Sequence, residues 1–217
     1  MKYGTFIFDF DYTLADATEG IVQSVNYALN KMGFEPKDRE TIRKFVGMTV
    51  IDGFCYFTGV SDKEAAKAFA ASFKEMADKV MTENTFLFDD TIEVLSNLKE
   101  LGLNTAIVST KFRYRINKTL EKYDMADLVD YIVGSEDVID HKPSPEGLLK
   151  VIEHFNVPKE SALYIGDHVI DANAAKRAQI DFAAMLTGTT KAEEFEGLPK
   201  VCKGDSLREI MTTFILS

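Results

Sequence analysis

Short apolar runs alternate with amphipathic stretches along most of this 217-residue chain. A continuous apolar run predicts a strand that is buried on both faces, whereas apolar positions three or four residues apart predict a helix. Buried strands are predicted at Thr5–Phe10, Asn104–Ser109, Tyr131–Gly134, Ala162–Gly166 and Phe182–Leu186. The segment Lys200–Cys202 predicts a weak edge strand.

The amphipathic stretches that separate these runs predict helices, namely Asp90–Leu101, Arg113–Tyr123, Pro145–Phe155, Val169–Ala178 and Leu207–Ile215. Gly102 follows the first helix as a C-terminal stop, and Pro145 fits a first helical turn, where its missing N–H costs nothing. Strands that alternate with helices in this way predict an α/β fold with a parallel sheet flanked by helices.

Residues 17–83 interrupt the alternation, because they contain no convincing strand. Their apolar spacing predicts four helices, at Gly20–Met32, Arg39–Phe45, Val50–Phe57 and Asp62–Met81. We therefore expect two domains: an α/β core made of residues 1–16 and 84–217, and a smaller all-helical domain at 17–83.

Charge and composition narrow the function classes. With 25 basic and 35 acidic residues the net charge is −10, which disfavours a nucleic-acid partner. A phosphate ester would therefore need a local cation to bind. Cys55 and Cys202 lack metal-ligand spacing, so we predict buried thiols in a reducing cytosol. No run approaches the ~20 apolar residues of a membrane span, and we expect a cytoplasmic protein with no membrane partner.

Two acidic residues follow the first predicted strand. Asp9 and Asp11 are separated by one residue, and ligands of open α/β sheets bind beyond the carboxyl ends of the strands. One carboxylate could attack a substrate there while the other holds or donates a proton. Considered alone, the pair is also typical of turn aspartates that cap the next helix.

Polar residues follow three other predicted elements. Ser109 and Thr110 follow the second strand and offer hydroxyl and N–H groups that suit a phosphate, although Ser109 could equally cap a helix. Lys142 lies in a loop before a helix, where a lone lysine is usually solvated. Asp167 and Asp171 follow the fourth strand, and a spacing of four places them on one helical face.

The chain thus carries four motifs in order, which are Asp9-x-Asp11-x-Thr13, Ser109, Lys142 and Gly166-Asp167-x-x-x-Asp171. They resemble the four motifs of the haloacid dehalogenase superfamily, over nearly the whole chain. The helical insertion is similar to the cap of its phosphoglycolate phosphatase and β-phosphoglucomutase branch. The resemblance implies a Rossmann-like core, a helical cap and Mg²⁺-dependent phosphoryl transfer through an aspartyl phosphate.

The resemblance also implies a role for each motif residue. Asp9 would be the nucleophile and Asp11 the general acid and base. The Mg²⁺ ligands would be the Asp9 carboxylate, the Asp11 backbone carbonyl and Asp167, supported by Asp171. The phosphate-binding residues would be Ser109, Thr110 and Lys142.

Some positions depart from the family pattern, and for these and for two cap residues the sequence allows two alternative roles. Tyr12 stands where the family usually has glycine, and either contacts the cap or leaving group or packs internally. His168 either touches substrate or caps a helix. Arg43 and Lys44 in the predicted cap either recognise an anionic leaving group or lie on a solvated face.

Several functions compete with phosphate-ester hydrolysis. A β-phosphoglucomutase-like enzyme would be expected to carry a cap histidine after the first motif, and residues 16–23 contain none. Pyrophosphate hydrolysis is a further alternative. A phosphoacceptor signalling domain would be about half as long, with its acceptor Asp on a middle strand, and a catalytically inactive binding protein would not need every motif group. We expect a small phosphorylated metabolite as the substrate, and the resemblance makes phosphoglycolate the first candidate. We expect the protein to be a monomer or a homodimer.

Overall fold

The computed structural model describes residues 2–215, and the chain divides into two compact units. The first unit comprises Met1–Ala15 and Leu87–Ser217, and the second comprises Asp16–Phe86. Two short strands, β2 (Ala15–Asp16) and β3 (Phe86–Leu87), pair with each other at the two points where the chain passes between the units.

The first unit is built on six parallel strands. They are β1 (Thr5–Phe8), β4 (Asn104–Val108), β5 (Tyr131–Val133), β6 (Ala162–Gly166), β7 (Asp181–Met185) and β8 (Cys202–Gly204). Their order across the sheet is β5-β4-β1-β6-β7-β8, and every pair of neighbours is parallel. The first strand in sequence is therefore central, with β4 on one side and β6 on the other.

Helices separate these strands along the chain, namely α5 (Thr91–Glu100), α6 (Arg113–Lys122), α7 (Glu146–Phe155), α8 (Val169–Ala178) and α9 (Leu207–Ile215). Successive side chains of a strand point to opposite faces, so each strand contributes to two apolar layers. Phe6 and Phe8 belong to one buried cluster, together with Leu95 of α5, whereas Ile7 belongs to the other, together with Val151 of α7. This arrangement confirms the predicted α/β fold with its flanked parallel sheet.

The second unit contains four helices, α1 (Thr18–Lys31), α2 (Arg39–Arg43), α3 (Val50–Thr58) and α4 (Lys63–Val80). Side-chain oxygens of Asp38, Thr49 and Asp62 accept backbone N–H bonds at the starts of the last three. Phe54 of α3 packs against Phe69 of α4, with ring centroids 5.7 Å apart. The unit is therefore held together by an aromatic core of its own.

Several predicted boundaries are wrong by a few residues. Phe10 is buried but lies beyond β1, because its carbonyl accepts the N–H groups of Leu14 and Ala15 in a turn. The edge strand was expected at Lys200–Cys202, and its pairing with β7 instead involves Cys202–Gly204. In the first strand, apolar character thus continues past the point where the hydrogen-bonded ladder ends, whereas the edge ladder lies two residues later than predicted.

The prediction that both cysteines are buried is wrong. Cys55 lies on the outer face of α3 and is exposed, and Cys202 is only half-buried at the sheet edge. Phe54, which precedes Cys55 in α3, is buried in the interior instead. Within residues 2–215 there is no helix with the length and apolar content that crossing a membrane requires.

Candidate active site

The strand register brings several motif residues to one edge of the sheet. Phe8, the last residue of β1, is aligned with Ile107 on one side and with Ile165 on the other. Residues that follow these three strands therefore emerge side by side at the carboxyl edge. Asp9 is central there, and Ser109 and Asp167 flank it.

A tight turn after β1 places Asp9 and Asp11 on the same short segment. The Tyr12 N–H donates to the Ala15 carbonyl over 2.7 Å, and Tyr12 has a left-handed φ of 61°. That conformation costs a non-glycine residue roughly 1–2 kcal/mol, which explains why glycine is usual there. The Tyr12 side chain is buried, and the Thr187 hydroxyl donates to the backbone carbonyl of Tyr12.

Lys142 lies among buried carboxylates. Its Nζ is 2.6 Å from Asp171 Oδ1 and 3.1 Å from Asp9 Oδ1. The contact with Asp9 is close enough for an ion pair, but its direction does not make a hydrogen bond. Among the described residues, Asp9 Oδ1 is therefore buried without a hydrogen-bond partner.

Asp171 is fixed by two donors in addition to its charge partner Lys142. The Tyr164 hydroxyl donates to Asp171 Oδ1 over 2.8 Å, and the His168 backbone N–H donates to Oδ2 over 3.0 Å. The same Tyr164 oxygen accepts from Lys142 Nζ over 3.0 Å. A Cβ on Gly166 would lie 2.7 Å from the Asp171 carboxylate, so glycine is required for this close approach.

Asp167 lies in an equally confined position. The Thr13 hydroxyl donates to its Oδ1 over 3.3 Å. A Cβ on Gly188, which follows β7, would lie 2.0 Å from Asp167 Oδ2. The loop after β7 is therefore shaped around this carboxylate.

Burial and mutual repulsion shift the proton affinities of these groups. Burial, more than the nearby charges, raises the pKa of Asp9 to about 6, although Lys142 opposes the shift. Burial and the charges of Asp171 and Asp9 raise the pKa of Asp167 well above its ordinary value. Burial lowers the pKa of Lys142, but the two carboxylates outweigh it and raise that pKa above its usual range. The cluster therefore holds more negative charge than one ammonium balances.

The donor set fits a hard divalent cation. Carboxylate oxygens of Asp9, Asp167 and Asp171 all lie within 4.8 Å of one another. Both Asp171 oxygens already accept hydrogen bonds, whereas Asp9 Oδ1 accepts none. Mg²⁺ needs only one or two carboxylates. Asp9 and Asp167 are thus the better ligands, and Asp171 suits a supporting role.

Lys111 is a site residue that was not predicted from the sequence. Its Nζ lies 2.9 Å and 3.1 Å from the two carboxylate oxygens of Asp11, and its side chain is 5% exposed. The sequence feature that could have indicated this role is the position of Lys111, two residues after Ser109 and at the end of a strand in an acidic chain. Tyr164 and Gly188 are two further residues of this site that were not predicted from the sequence.

The remaining predicted residues are in less constrained surroundings. Ser109 is buried and its Oγ accepts the Lys111 N–H over 3.3 Å, while Thr110 beside it is half-buried. His168 Nδ1 accepts the Ile170 N–H, so this ring caps α8. Burial lowers the pKa of His168, which favours the neutral ring that capping requires.

Arg43 and Lys44, the two predicted contacts outside the first unit, lie at the end of α2 in the second unit. Arg43 is half-buried. Lys44 is exposed and pairs with Glu40 over 3.3 Å.

Known proteins share this architecture and chain length. The profile of the haloacid dehalogenase-like hydrolase family matches residues 6–185. A Caldanaerobacter subterraneus subsp. tengcongensis protein, assigned by name as a pyrophosphatase PpaX, is 30% identical over 186 residues, which cover 85% of this chain and 82% of that protein. A phosphoglycolate phosphatase of Aquifex aeolicus is 29% identical and covers 85% of each chain.

A solved structure extends the similarity to three dimensions. The Bacteroides fragilis protein, described as a haloacid dehalogenase-like hydrolase, is 38% identical with a TM-score of 0.93, and the match covers 96% of this chain and all of that one. The fold and the acidic site define an enzyme of the phosphatase class. The chain belongs to the haloacid dehalogenase-like hydrolase family.

Proposed function

We propose that this enzyme hydrolyses a small phosphate monoester with Asp9 as the nucleophile. The observation that carries the proposal is the buried Asp9 Oδ1, which lacks a hydrogen-bond partner in the described part of the chain and lies 3.1 Å from Lys142 Nζ. A buried carboxylate oxygen normally has its hydrogen bonds satisfied. An atom left open at the carboxyl edge of a parallel sheet is available for an incoming phosphorus or a cation.

Asp9 and Asp167 would hold Mg²⁺ with the Asp11 backbone carbonyl, and Asp171 would support them. When bound, the ion supplies positive charge that offsets repulsion between the carboxylate and the substrate phosphate. Two unit charges 4 Å apart repel by about 4 kcal/mol at an effective dielectric constant of 20. Lys142 contributes to the same balance from within the chain.

The reaction divides into two displacements. Asp9 forms a bond to phosphorus while the bond from phosphorus to the ester oxygen breaks, and Asp11 donates a proton to that leaving oxygen. A water molecule then attacks the phosphorus of the aspartyl phosphate, and Asp11 takes one of its protons. Phosphate and the Asp9 carboxylate are released, so Asp9 and Asp11 return to their starting states.

Ser109, Thr110 and Lys142 would hold the phosphoryl oxygens. Ser109 lies on the strand next to Asp9, and Lys142 already contacts the Asp9 carboxylate. Tyr12, His168, Arg43 and Lys44 stay predictions as substrate contacts. The all-helical segment 17–83 is proposed as the cap that governs substrate access.

A phosphoglycolate-like ester is the first substrate to test, since one relative is named phosphoglycolate phosphatase. Pyrophosphate is the second, because another relative carries the name pyrophosphatase PpaX. The two differ in their leaving group, since phosphate leaves far more readily than an alkoxide. Hydrolysis of pyrophosphate would therefore depend less on proton donation by Asp11.

The test is phosphate release from a panel that contains phosphoglycolate, other small phosphate esters and pyrophosphate, with Mg²⁺ and with EDTA. We expect Mg²⁺-dependent release that Asp9→Asn abolishes and that Asp127→Asn, a change outside the site, leaves intact. Release by folded Asp9→Asn at the wild-type rate would refute the nucleophile assignment. No release from any compound by the folded wild type would refute the proposed activity.

A further inference from the structure

The Lys111 ammonium is a buried charge with a single carboxylate beside it. It lies 2.9 Å and 3.1 Å from the two oxygens of Asp11, and both side chains are largely enclosed, at 5% and 15% exposure. A buried ammonium is costly unless it is paired and hydrogen-bonded. Contact with both oxygens therefore restrains the carboxylate to one orientation.

The backbone of Lys111 is anchored on both sides of the residue. Its N–H donates to Ser109 Oγ over 3.3 Å, and its carbonyl accepts the Ser135 N–H over 3.0 Å. The ammonium also lies 5.4 Å from the centre of the Phe10 ring, which is the residue before Asp11. The lysine is thus held by the loop after β4 while its charged end reaches the turn after β1.

Asp11, in contrast, belongs to a turn with little else to fix its side chain. Among the hydrogen bonds of the described residues, those of the Asp11 carboxylate come from Lys111 alone. Proton donation to a leaving oxygen requires that the acid lie within hydrogen-bond reach of it. Misplacement of a catalytic group by about 1 Å can cost a hundredfold in rate.

We propose that Lys111 is the positioning residue for Asp11, and that it acts on the rate of leaving-group departure through that carboxylate. The inference rests on the proposed phosphatase function. It predicts that the importance of Lys111 depends on how strongly the leaving group needs a proton. An alkyl ester needs one, whereas p-nitrophenolate leaves readily without it.

The experiment measures kcat and KM of Lys111→Met on phosphoglycolate and on p-nitrophenyl phosphate. Loss of a charge-assisted contact predicts a fall in kcat of about 10- to 100-fold on the alkyl ester. On the aryl ester we expect a loss of less than about threefold, because acid catalysis contributes little there. Lys176→Met, at an exposed position on α8, should match the wild type on both substrates.

A double-mutant cycle identifies the group through which Lys111 acts. In an Asp11→Asn background, Lys111→Met should change kcat on the alkyl ester by less than about twofold, because neighbouring groups that act together are not additive. An equal loss on both esters, a full loss in the Asp11→Asn background, or a rise in KM alone would overturn the inference. Lys111→Gln, which keeps an N–H donor without the charge, replaces the methionine variant if that one does not fold.

Failure of the positioning role and failure of the proposed phosphatase function give different results. A folded wild type that releases phosphate from neither ester, nor from any other compound of the substrate panel, contradicts the proposed function. An active wild type whose Lys111 and Asp11 effects simply add contradicts the positioning role alone.

Discussion

Removal of the Lys142 charge should destabilise the protein strongly. Lys142 Nζ lies 2.6 Å from Asp171 Oδ1 and 3.1 Å from Asp9 Oδ1, with a side chain that is 5% exposed. At an effective dielectric constant of 20, these distances correspond to attractions of about 6 and about 5 kcal/mol. Burial of the ammonium costs several kcal/mol in return, and loss of one partner from a buried ion pair typically costs about 3–5 kcal/mol. We expect Lys142→Met to lose about 3–5 kcal/mol of unfolding free energy.

Urea denaturation in EDTA near neutral pH measures this loss. Lys203→Met is the matched control, since Lys203 pairs with Glu196 at 3.7 Å while both side chains are exposed. Exposed pairs contribute about 0–1 kcal/mol, so the control should stay within that range. A loss below about 1 kcal/mol for Lys142→Met, or one equal to the control, would refute the claim that Lys142 balances the buried carboxylates.

Two other predictions concern small side chains. A methyl group at Gly188 would lie 2.0 Å from Asp167 Oδ2, so Gly188→Ala should lower kcat at least about tenfold. Gly4→Ala is the control, because no atom lies within 4 Å of a methyl group at that position. Equal kcat values for the two variants would contradict the confinement of Asp167. Iodoacetamide at pH 8 should modify exposed Cys55 well before Cys202, because burial raises the pKa of the Cys202 thiol to about 11 and keeps it protonated. Labelling of Cys202 should rise with pH up to that value, and equal labelling of both thiols at pH 8, measured by mass spectrometry, would contradict this.

Much of the fold could be predicted because local signals were strong. The predicted bounds of Ala162–Gly166 and Val169–Ala178 agree with the structure. A pure apolar run that ends in glycine marks a buried strand, and a capped amphipathic stretch marks a helix. The first strand was overextended since Phe10 is as buried as the strand itself. Burial continues beyond the last residue that pairs with a neighbouring strand. Residue type therefore predicts burial better than it predicts where strand pairing ends.

Cys55 shows the limit of residue type alone. Cysteine is often buried, but α3 turns Phe54 and Phe57 inward and leaves Cys55 on the outer face. The three-residue spacing of the two aromatic residues indicated this orientation. Helical position, rather than average burial, was the better guide.

The order of the site motifs could be predicted, but the contacts between them could not. Lys111 and Asp11 are 100 residues apart in the chain, and only the folded sheet brings them together. Tyr164 looked like an apolar strand residue, and its hydroxyl links Lys142 to Asp171. Such contacts depend on register across several strands, which no local pattern encodes.

The central claim is that Asp9 becomes phosphorylated, and an acid-quenched single turnover tests it most directly. The enzyme, in excess over the phosphate ester, would be mixed with the ester and Mg²⁺, quenched within the first turnover, digested and analysed by mass spectrometry. The account predicts a phosphorylated peptide that contains Asp9, absent from Asp9→Asn. A phosphoryl group on any other residue, or turnover by Asp9→Asn at the wild-type rate, would contradict it.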